Sequence, residues 1–209
     1  MGNTLLFYIF VAISIILVIG YFLGRRKNKN ISYSTIQSLK KLIKPADQII
    51  TNIGGVVGYH LEMDFESDRN FNNLEGTITL LPRHSLLYLP VSKLFRKFDR
   101  FYVKIDVDKI PVSSEIKFIE NNFLNEHRKE VKNNNKFHKE ELTIDQKIFC
   151  YYYDRDSDLK ILKKMIDQIE GIKYIKEISI NSNGEIALLF VPGEKRNKKI
   201  LEPIINWLQ

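Results

Sequence analysis

The chain has 209 residues and a formal net charge of +7 at pH 7. Hydrophobic residues make up 44% of it and aromatic residues 11%, which is enough apolar surface for a packed core and excludes a disordered chain. The single cysteine, Cys150, excludes an internal disulfide and suits a reducing compartment. A basic chain can meet anionic lipid, nucleic acid or an acidic protein, and the charge alone does not choose among them.

An apolar run extends from Thr4 to Gly24 and contains no Asp, Glu, Lys, Arg or His. At about 1.5 Å per residue, this run is long enough to cross a bilayer core of roughly 30 Å. A cleaved signal peptide would carry its positive charge before the apolar core, and a buried core helix would be shorter. The sequence therefore predicts one transmembrane helix over 4–24.

Basic residues follow this helix at once, and none precedes it: Arg25, Arg26, Lys27 and Lys29. By the positive-inside rule, residues 1–3 are expected outside and the rest of the chain in the cytoplasm, at the plasma membrane of a prokaryote or the endoplasmic reticulum of a eukaryote. These membrane-proximal cations are expected to meet anionic lipid headgroups. Small side chains let membrane helices approach closely. Three residues of the span are therefore predicted to pack against a partner membrane protein: Ala12, Ser14 and Gly20.

Residues 25–46 are predicted to form a basic juxtamembrane stalk between the span and a globular region. Ser32 can cap a short helix there. Apolar residues recur at helical spacing before Pro45 ends the pattern: Ile36, Leu39, Leu42 and Ile43. The glycines of the stretch 51–58, TNIGGVVG, fit neither a Walker A loop nor a dinucleotide fingerprint, so this stretch is predicted to be a flexible entry to a strand.

The segment 47–126 is predicted to be a first α+β subdomain. Alternation of apolar and polar residues indicates half-buried strands over 57–66, 74–81, 101–108 and 116–119. The first two are expected to form an antiparallel hairpin, and the last two are expected to pair across the turn at Pro111.

Between the second and third of these strands, a helix is predicted over 85–98. Its apolar residues are expected to face the core: Leu87, Pro90 or Val91, Leu94 and Phe98. The basic residues are expected on its outer side: Lys93, Arg96, Lys97 and Arg100. This basic face is either a docking surface or simply a solvated helix face, and the sequence does not choose between the two.

A polar stretch over 127–141 predicts a linker, and 142–209 is predicted to be a second α+β subdomain. Its expected elements are a strand over 147–153, a helix from Asp156 or Ser157 to Glu170, strands over 174–180 and 185–191 joined at Asn183-Gly184, and a helix over 197–208. Basic residues surround the start of that last helix: Lys195, Arg196, Lys198 and Lys199. The complete prediction is an α+β fold of antiparallel sheets backed by helices, either in one body or in two subdomains.

No catalytic motif is present in the sequence: it has no HExxH, GxSxG or CxxC pattern and no glycine-rich phosphate loop in the right context. His60 and His84 have no recognisable nucleophile near them in the sequence, and Cys150 lies in an apolar strand. The sequence therefore predicts binding and not catalysis, with no cofactor, no metal and no small-molecule substrate. An enzyme built around His60 or His84 is the weaker alternative, and it would need a pocket that joins one of them to carboxylates.

The order of these elements resembles calumin, the coiled-coil-domain subunit of the PAT complex of the endoplasmic reticulum. Three stretches carry the resemblance: the exit from the span at 22–28, the strand, leucine-rich helix and strand from Gly76 to Val107, and the segment from Ile169 to Leu208. The likeness is one of order and spacing over most of the chain. The sequence has no counterpart of the family's acidic lumenal region or of its basic coiled-coil tail, so calcium binding is not implied.

The resemblance implies a non-enzymatic accessory factor, in a short form such as an archaeal one, that sits beside the Sec translocon and assists the insertion of multipass membrane proteins. Its implied partners are the ribosome, the Sec translocon and a small multipass membrane protein. The two basic clusters defined above, 93–100 and 195–199, are expected to face the ribosome or translocon because rRNA phosphates attract Lys and Arg. The alternative is a membrane-anchored scaffold or envelope protein whose basic domain binds anionic lipid or another protein.

Overall fold

The computed structural model describes residues 2–65, 70–123 and 137–208. Four α-helices lie wholly within these ranges: α1 (Gly2–Ile43), α2 (Tyr88–Phe95), α3 (Asp156–Asp167) and α4 (Glu194–Leu208). Nine strands are described: β1 (Asp47–Asn52), β2 (Gly58–Asp64), β3 (Phe71–Thr79), β4 (Arg100–Val107), β5 (Ile116–Glu120), β6 (His138–Ile144), β7 (Lys147–Tyr153), β8 (Ile175–Asn181) and β9 (Glu185–Phe190).

The strands form one antiparallel sheet in the order β1-β2-β3-β4-β9-β8-β5-β7-β6. This confirms the predicted α+β class. The predicted hairpins β2–β3 and β8–β9 are also confirmed, and Gly184 has the positive φ of 89° that the second of these turns requires. Strands from the two halves of the chain interleave, because β9 and β8 lie between β4 and β5. The division into subdomains at 127–141 therefore does not correspond to two sheets.

The core lies between one face of this sheet and the helices. Along β4, alternate residues such as Val103 and Ile105 are buried, and Tyr102 and Lys104 lie on the other face, as the period of two in a strand requires. Residues of α1, α3 and α4 join the same buried cluster, among them Leu39, Leu162 and Leu201. The opposite face of the sheet, which we call the open face, is mostly polar.

Helix α1 is continuous from the apolar run into the core of the domain. Residues 25–43 contain neither Gly nor Pro, so nothing in this stretch breaks a helix. Its buried residues lie along one stripe, at a spacing of three or four positions, with Ile36 beside Thr35: Gly24, Asn28, Ser32, Thr35, Ile36, Leu39 and Ile43. The predicted separate helix with Ser32 as its N-cap is therefore wrong, because Ser32 lies in the interior of α1. The helix ends where Lys44 takes a φ of 50°, just before Pro45.

Two edge strands were missed by the sequence prediction. All six residues of β1 are exposed, and only alternate residues of β6 are half-buried, so neither strand shows the apolar alternation of an inner strand. Residues 138–141 belong to β6 and not to a linker, and residues 124–136 lie outside the described ranges. The predicted pairing of β5 with β4 is also wrong: β5 lies between β7 and β8, since β9 occupies the edge of β4.

Helix α3 is held to the loop before β5 by a buried carboxylate. Asp158 accepts hydrogen bonds from the backbone N–H groups of Ser113 (3.2 Å) and Ser114 (3.0 Å) and from Ser114 Oγ (2.7 Å). Burial by itself would raise the pKa of this carboxyl group, but the hydrogen bonds outweigh burial and hold the pKa below its ordinary value.

Because the pKa of Asp158 is lower in the folded than in the unfolded protein, its ionised form stabilises the fold above the unfolded pKa of about 3.9, and this stabilisation is lost as the pH falls through the folded pKa. We expect Asp158→Asn to lower the free energy of unfolding at neutral pH. We also expect this free energy to fall less steeply with acid than in the parent protein. Urea unfolding between pH 2 and 7 measures this, with the exposed Asp154→Asn as the control. Parallel pH profiles for the parent and Asp158→Asn would contradict it.

Candidate functional site

One end of the sheet lies against α1 at the point where the apolar run ends, and we call it the anchor end. The segment between β3 and α2 contacts the helix there. A Cβ atom added at Gly24 would lie 2.0 Å from the carbonyl oxygen of Arg83, and one added at Gly20 would lie 2.1 Å from Leu86 Cδ1. These two glycines therefore let a backbone segment and a leucine side chain approach α1 more closely than any other residue would allow.

A buried polar network fixes this contact. Asn28 Nδ2 donates to the carbonyl oxygen of Leu81 at 2.9 Å, and Arg83 Nη1 donates to Asn28 Oδ1 at 3.0 Å. Arg83 also forms a bidentate ion pair with Asp99, with N–O distances of 2.8 and 2.7 Å. Asp99 accepts a further hydrogen bond from the backbone N–H of Leu81 at 2.9 Å. The bonds of Asn28 join α1 to the segment after β3, and those of Asp99 join that segment to the residue just before β4, so the network sets the orientation of the sheet on α1.

Helix α2 follows this segment and exposes its apolar residues. Leu87 is 75% exposed, Leu94 78% and Phe95 79%, and Ser92 is the buried residue of the helix. The prediction that the apolar residues of this helix face the core is therefore wrong for Leu87 and Leu94, and also for the alternatives Pro90 and Val91, which are both exposed. Helical spacing shows that apolar residues share a face, but it does not show what that face contacts.

The four basic residues predicted on this helix do not share one face. Lys93 borders a hollow of about 550 Å³ beside α1, together with Lys27. Lys97 is exposed after the end of α2. Arg100 is instead the first residue of β4, with its guanidinium carbon 5.4 Å from the ring centroid of Phe98. The predicted outward helix face over 93–100 is therefore wrong, because Lys93 lies on the α1 side and Arg100 lies on the open face. Arg96, the residue after α2, is half-buried.

The second basic cluster lies at the start of α4. Lys195 and Arg196 border a hollow of about 470 Å³ together with Lys27 and Arg83, so the structure brings these cations to the anchor end. Arg196 stacks over the ring of Tyr174 at 4.3 Å. The other two members are paired with carboxylates: Lys198 with Glu202 at 3.9 Å and Lys199 with Glu170 at 2.6 Å.

The predicted membrane-proximal cations surround α1 at the level where the apolar run ends: Arg25, Arg26, Lys27 and Lys29, all exposed. Arg25 Nη1 donates to the hydroxyl of Tyr21, one turn back, at 2.9 Å. Together with Lys195 and Arg196, these residues give the anchor end a strongly positive surface.

The residues predicted to pack against a partner membrane protein have different surroundings. Gly20 is covered by Leu86 of its own chain, so the predicted contact of Gly20 with another protein is replaced by a contact within the chain. Ser14 Oγ donates to the carbonyl oxygen of Phe10 within α1 at 2.9 Å, and Ala12 is exposed. For Ala12 and Ser14 the partner contact stays a prediction.

The open face of the sheet contains a shallow hollow of about 460 Å³ whose lining is mixed in charge: Thr77, Thr79, Arg100, Tyr102, Glu115, Lys117, Phe123, Glu177, Ser179, Asn181, Glu185, Ala187, Leu188 and Leu189. Partial burial, followed by the nearby carboxylates of Glu185 and Glu177, raises the pKa of Tyr102. The phenol of Tyr102 is therefore neutral at physiological pH and keeps its O–H as a potential hydrogen-bond donor.

The two histidines that the sequence offered as alternative bases have separate surroundings. His60 Nδ1 lies 3.0 Å from Thr77 Oγ1, and its Nε2 lies 3.2 Å from Glu62, on the open face. His84 lies at the anchor end, with its ring centroid 6.0 Å from that of Tyr21. They do not form one site, and the prediction of a non-catalytic protein stays a prediction.

No protein-family model matches this sequence, and no curated protein matches it. The resemblance to calumin therefore stays a prediction. Within the described ranges, α1 is the one helix that is long and apolar enough to cross a membrane, and its most apolar stretch is unburied.

Sequence reasoning missed a buried charge cluster at the anchor end of β5. Glu120 is buried and pairs with the ammonium group of Lys176 and, at 3.5 Å, with that of Lys147. Burial lowers the pKa of Lys176 in spite of its carboxylate partner. The ammonium group of Lys176 also lies 4.8 Å from the ring centroid of Phe98, so it helps to hold the segment after α2. These residues are far apart in the sequence, and no local pattern marks them as neighbours.

Proposed function

We propose that this protein is a single-pass membrane protein with residues 1–3 outside and the sheet domain in the cytoplasm. It acts by binding and not by catalysis, as an accessory factor of the ribosome and the Sec translocon that assists the insertion or folding of multipass membrane proteins. The observation that carries the proposal is the continuity of α1, whose N-terminal half is apolar and unburied and whose C-terminal half belongs to the core of the domain.

The exposed side of α1 supports the membrane location. Phe10 is 70% exposed and Phe22 is 63% exposed, and the most apolar stretch of the run is unburied in the described parts of the chain. Such a surface is unfavourable in water and favourable in the hydrocarbon core of a bilayer. The cations that begin at Arg25 support the orientation, because Lys and Arg are enriched on the cytoplasmic side of a span.

The fixed geometry supports an accessory role. Because the buried network of Arg83 and Asp99 holds the sheet on α1, the basic residues of the anchor end are held close to the membrane surface. A ribosome docked on a translocon presents rRNA phosphates at a similar height, and phosphates bind Lys and Arg irrespective of sequence.

Charge reversal tests this proposal. We expect Lys97→Glu combined with Lys195→Glu to release the full-length protein from salt-washed ribosome–translocon complexes, because each lysine–phosphate contact contributes to the affinity through counterion release and a carboxylate repels the phosphate. Lys160→Glu combined with Lys164→Glu, on the exposed side of α3, changes the net charge by the same amount and is the matched control. Equal co-sedimentation of the two double variants would contradict the proposal.

The second candidate function is that of a scaffold that binds anionic lipid. The observation that favours it is the convergence of Lys27, Lys195 and Arg196 on one hollow at the anchor end. Juxtamembrane cations contribute about 1 kcal/mol each to attraction by an anionic leaflet. Analysis of the lipid that co-purifies with the protein after mild detergent extraction distinguishes this function from ribosome binding. Enrichment of anionic lipid that Lys27→Glu with Lys195→Glu abolishes, without any ribosome co-sedimentation, would favour the scaffold.

A further inference from the structure

The apolar side of α2 is next to the segment of α1 that the proposed function places in the membrane. Leu86, one residue before the exposed Leu87, contacts Gly20, and Gly20 lies within the apolar run that ends at Gly24. Four residues of helix correspond to about 6 Å. Measured along α1, Leu86 therefore lies about 6 Å inside the apolar run, counted from its end at Gly24 toward its middle.

The side chains that α2 turns outward are large and apolar. They are Leu87, Tyr88, Val91, Leu94 and Phe95. The helix itself carries one charged residue, Lys93, and the cations Arg96 and Lys97 follow directly after its end. An apolar face with cations at its rim is the pattern of helices that lie in the plane of a membrane interface, with their apolar side about 5–10 Å deep.

Both ends of the α2 segment contact the rest of the protein. At its start, Leu86 lies against Gly20 of α1. At its end, the ring centroid of Phe98 lies 5.4 Å from the guanidinium carbon of Arg100 and 4.8 Å from the ammonium nitrogen of Lys176. Both ends of the segment are thus attached to the domain, and its apolar face is left pointing outward.

We propose that α2 is a second membrane-contacting element, which lies in the interface of the leaflet on the domain's side and inserts Leu87, Leu94 and Phe95 among the acyl chains. Its ligand is the lipid surface itself. Lys93, Arg96 and Lys97 lie at the level of the phosphates. The inference rests on the proposed function only in that α1 must span the bilayer. The apolar face of α2 is covered by lipid and not by a protein, because α2 begins at the depth of Gly20, inside the apolar run.

The test uses the full-length protein reconstituted in vesicles of pure phosphatidylcholine. Leu94→Cys carries an environment-sensitive fluorophore, and lipids with a nitroxide at a shallow or a deep acyl position quench it. Ile16→Cys, within the apolar run, reports the spanning of α1. Tyr33→Cys, on the exposed side of α1 beyond the run, is the control for solvent. The parent protein, whose only cysteine is the buried Cys150, gives the background of labelling.

We expect quenching of Leu94 by the shallow nitroxide, quenching of Ile16 by the deep one, and no quenching of Tyr33. Quenching of Ile16 without quenching of Leu94 would overturn the role of α2 and leave the anchor intact. A loss of quenching at both positions would instead overturn the proposed spanning by α1. If Leu94 were shielded from water in native membranes but unquenched in pure lipid vesicles, a protein would be its occupant and the lipid proposal would be wrong.

Discussion

Replacing Asp99 with alanine is expected to lower the free energy of unfolding by about 3–5 kcal/mol, the cost of removing one partner of a buried ion pair. Asp99 and Arg83 are both largely buried, with side-chain exposures of 10% and 19%. The substitution leaves the Arg83 guanidinium with Asn28 as its remaining partner in this network, and it removes the acceptor of the Leu81 N–H group. Both groups are then buried without full compensation.

Denaturant unfolding of the full-length protein in detergent micelles, followed by circular dichroism, measures this effect. Asp106→Ala is the matched control, since Asp106 pairs with Lys104 at 3.4 Å on the surface and such pairs contribute about 0–1 kcal/mol. Equal losses for the two variants would show that the network around Arg83 does not hold the sheet on α1.

Phe118→Ala is expected to cost a similar amount, about 3–5 kcal/mol, because it leaves a cavity at the centre of the core. The ring of Phe118 is fully buried and stacks on Phe149 at a centroid distance of 4.9 Å and an angle of 4°, and it also contacts Tyr151 at 4.8 Å. The cavity would open beneath β5, between the strands on either side of it, where repacking is limited by the sheet.

The same substitution at Phe95 provides the comparison. Phe95 is largely exposed on α2, so Phe95→Ala is expected to change the free energy of unfolding by no more than about 0.5 kcal/mol. Unfolding of both variants under one set of conditions compares a buried with an outward phenylalanine. A large loss for Phe95→Ala would show that α2 packs against the domain more fully than its exposure indicates.

The fold could be predicted from the sequence wherever burial leaves a periodic pattern. Inner strands such as β4 and β9 alternate clearly because one side of each faces the core. The edge strand β1 has no buried side and gives no such pattern. The neighbours of β5 could not be predicted either, because its partners β7 and β8 follow it by some 30 and 60 residues and alternation does not encode pairing.

The candidate site was predictable in composition but not in arrangement. The apolar run, the cations after it and the basic start of α4 were all visible in the sequence. The direction of the apolar face of α2 was not, since Leu94 has the same spacing whether it meets a protein core or points away from it. The network joins Asn28 to Arg83 across 55 positions and Arg83 to Asp99 across 16, so only the folded chain reveals it.

Because α1 is unbroken between the apolar run and the core, a change in the tilt of the run moves the whole domain. About 19 residues of α1 lie between Gly24 and Ile43, a length of about 29 Å. When α1 spans the bilayer as proposed above, a tilt of about 20° from the bilayer normal, the average for transmembrane helices, moves Ile43 sideways by about 10 Å. Membrane thickness, through its influence on tilt, would thereby shift the position of the open face of the sheet relative to a partner fixed in the same membrane.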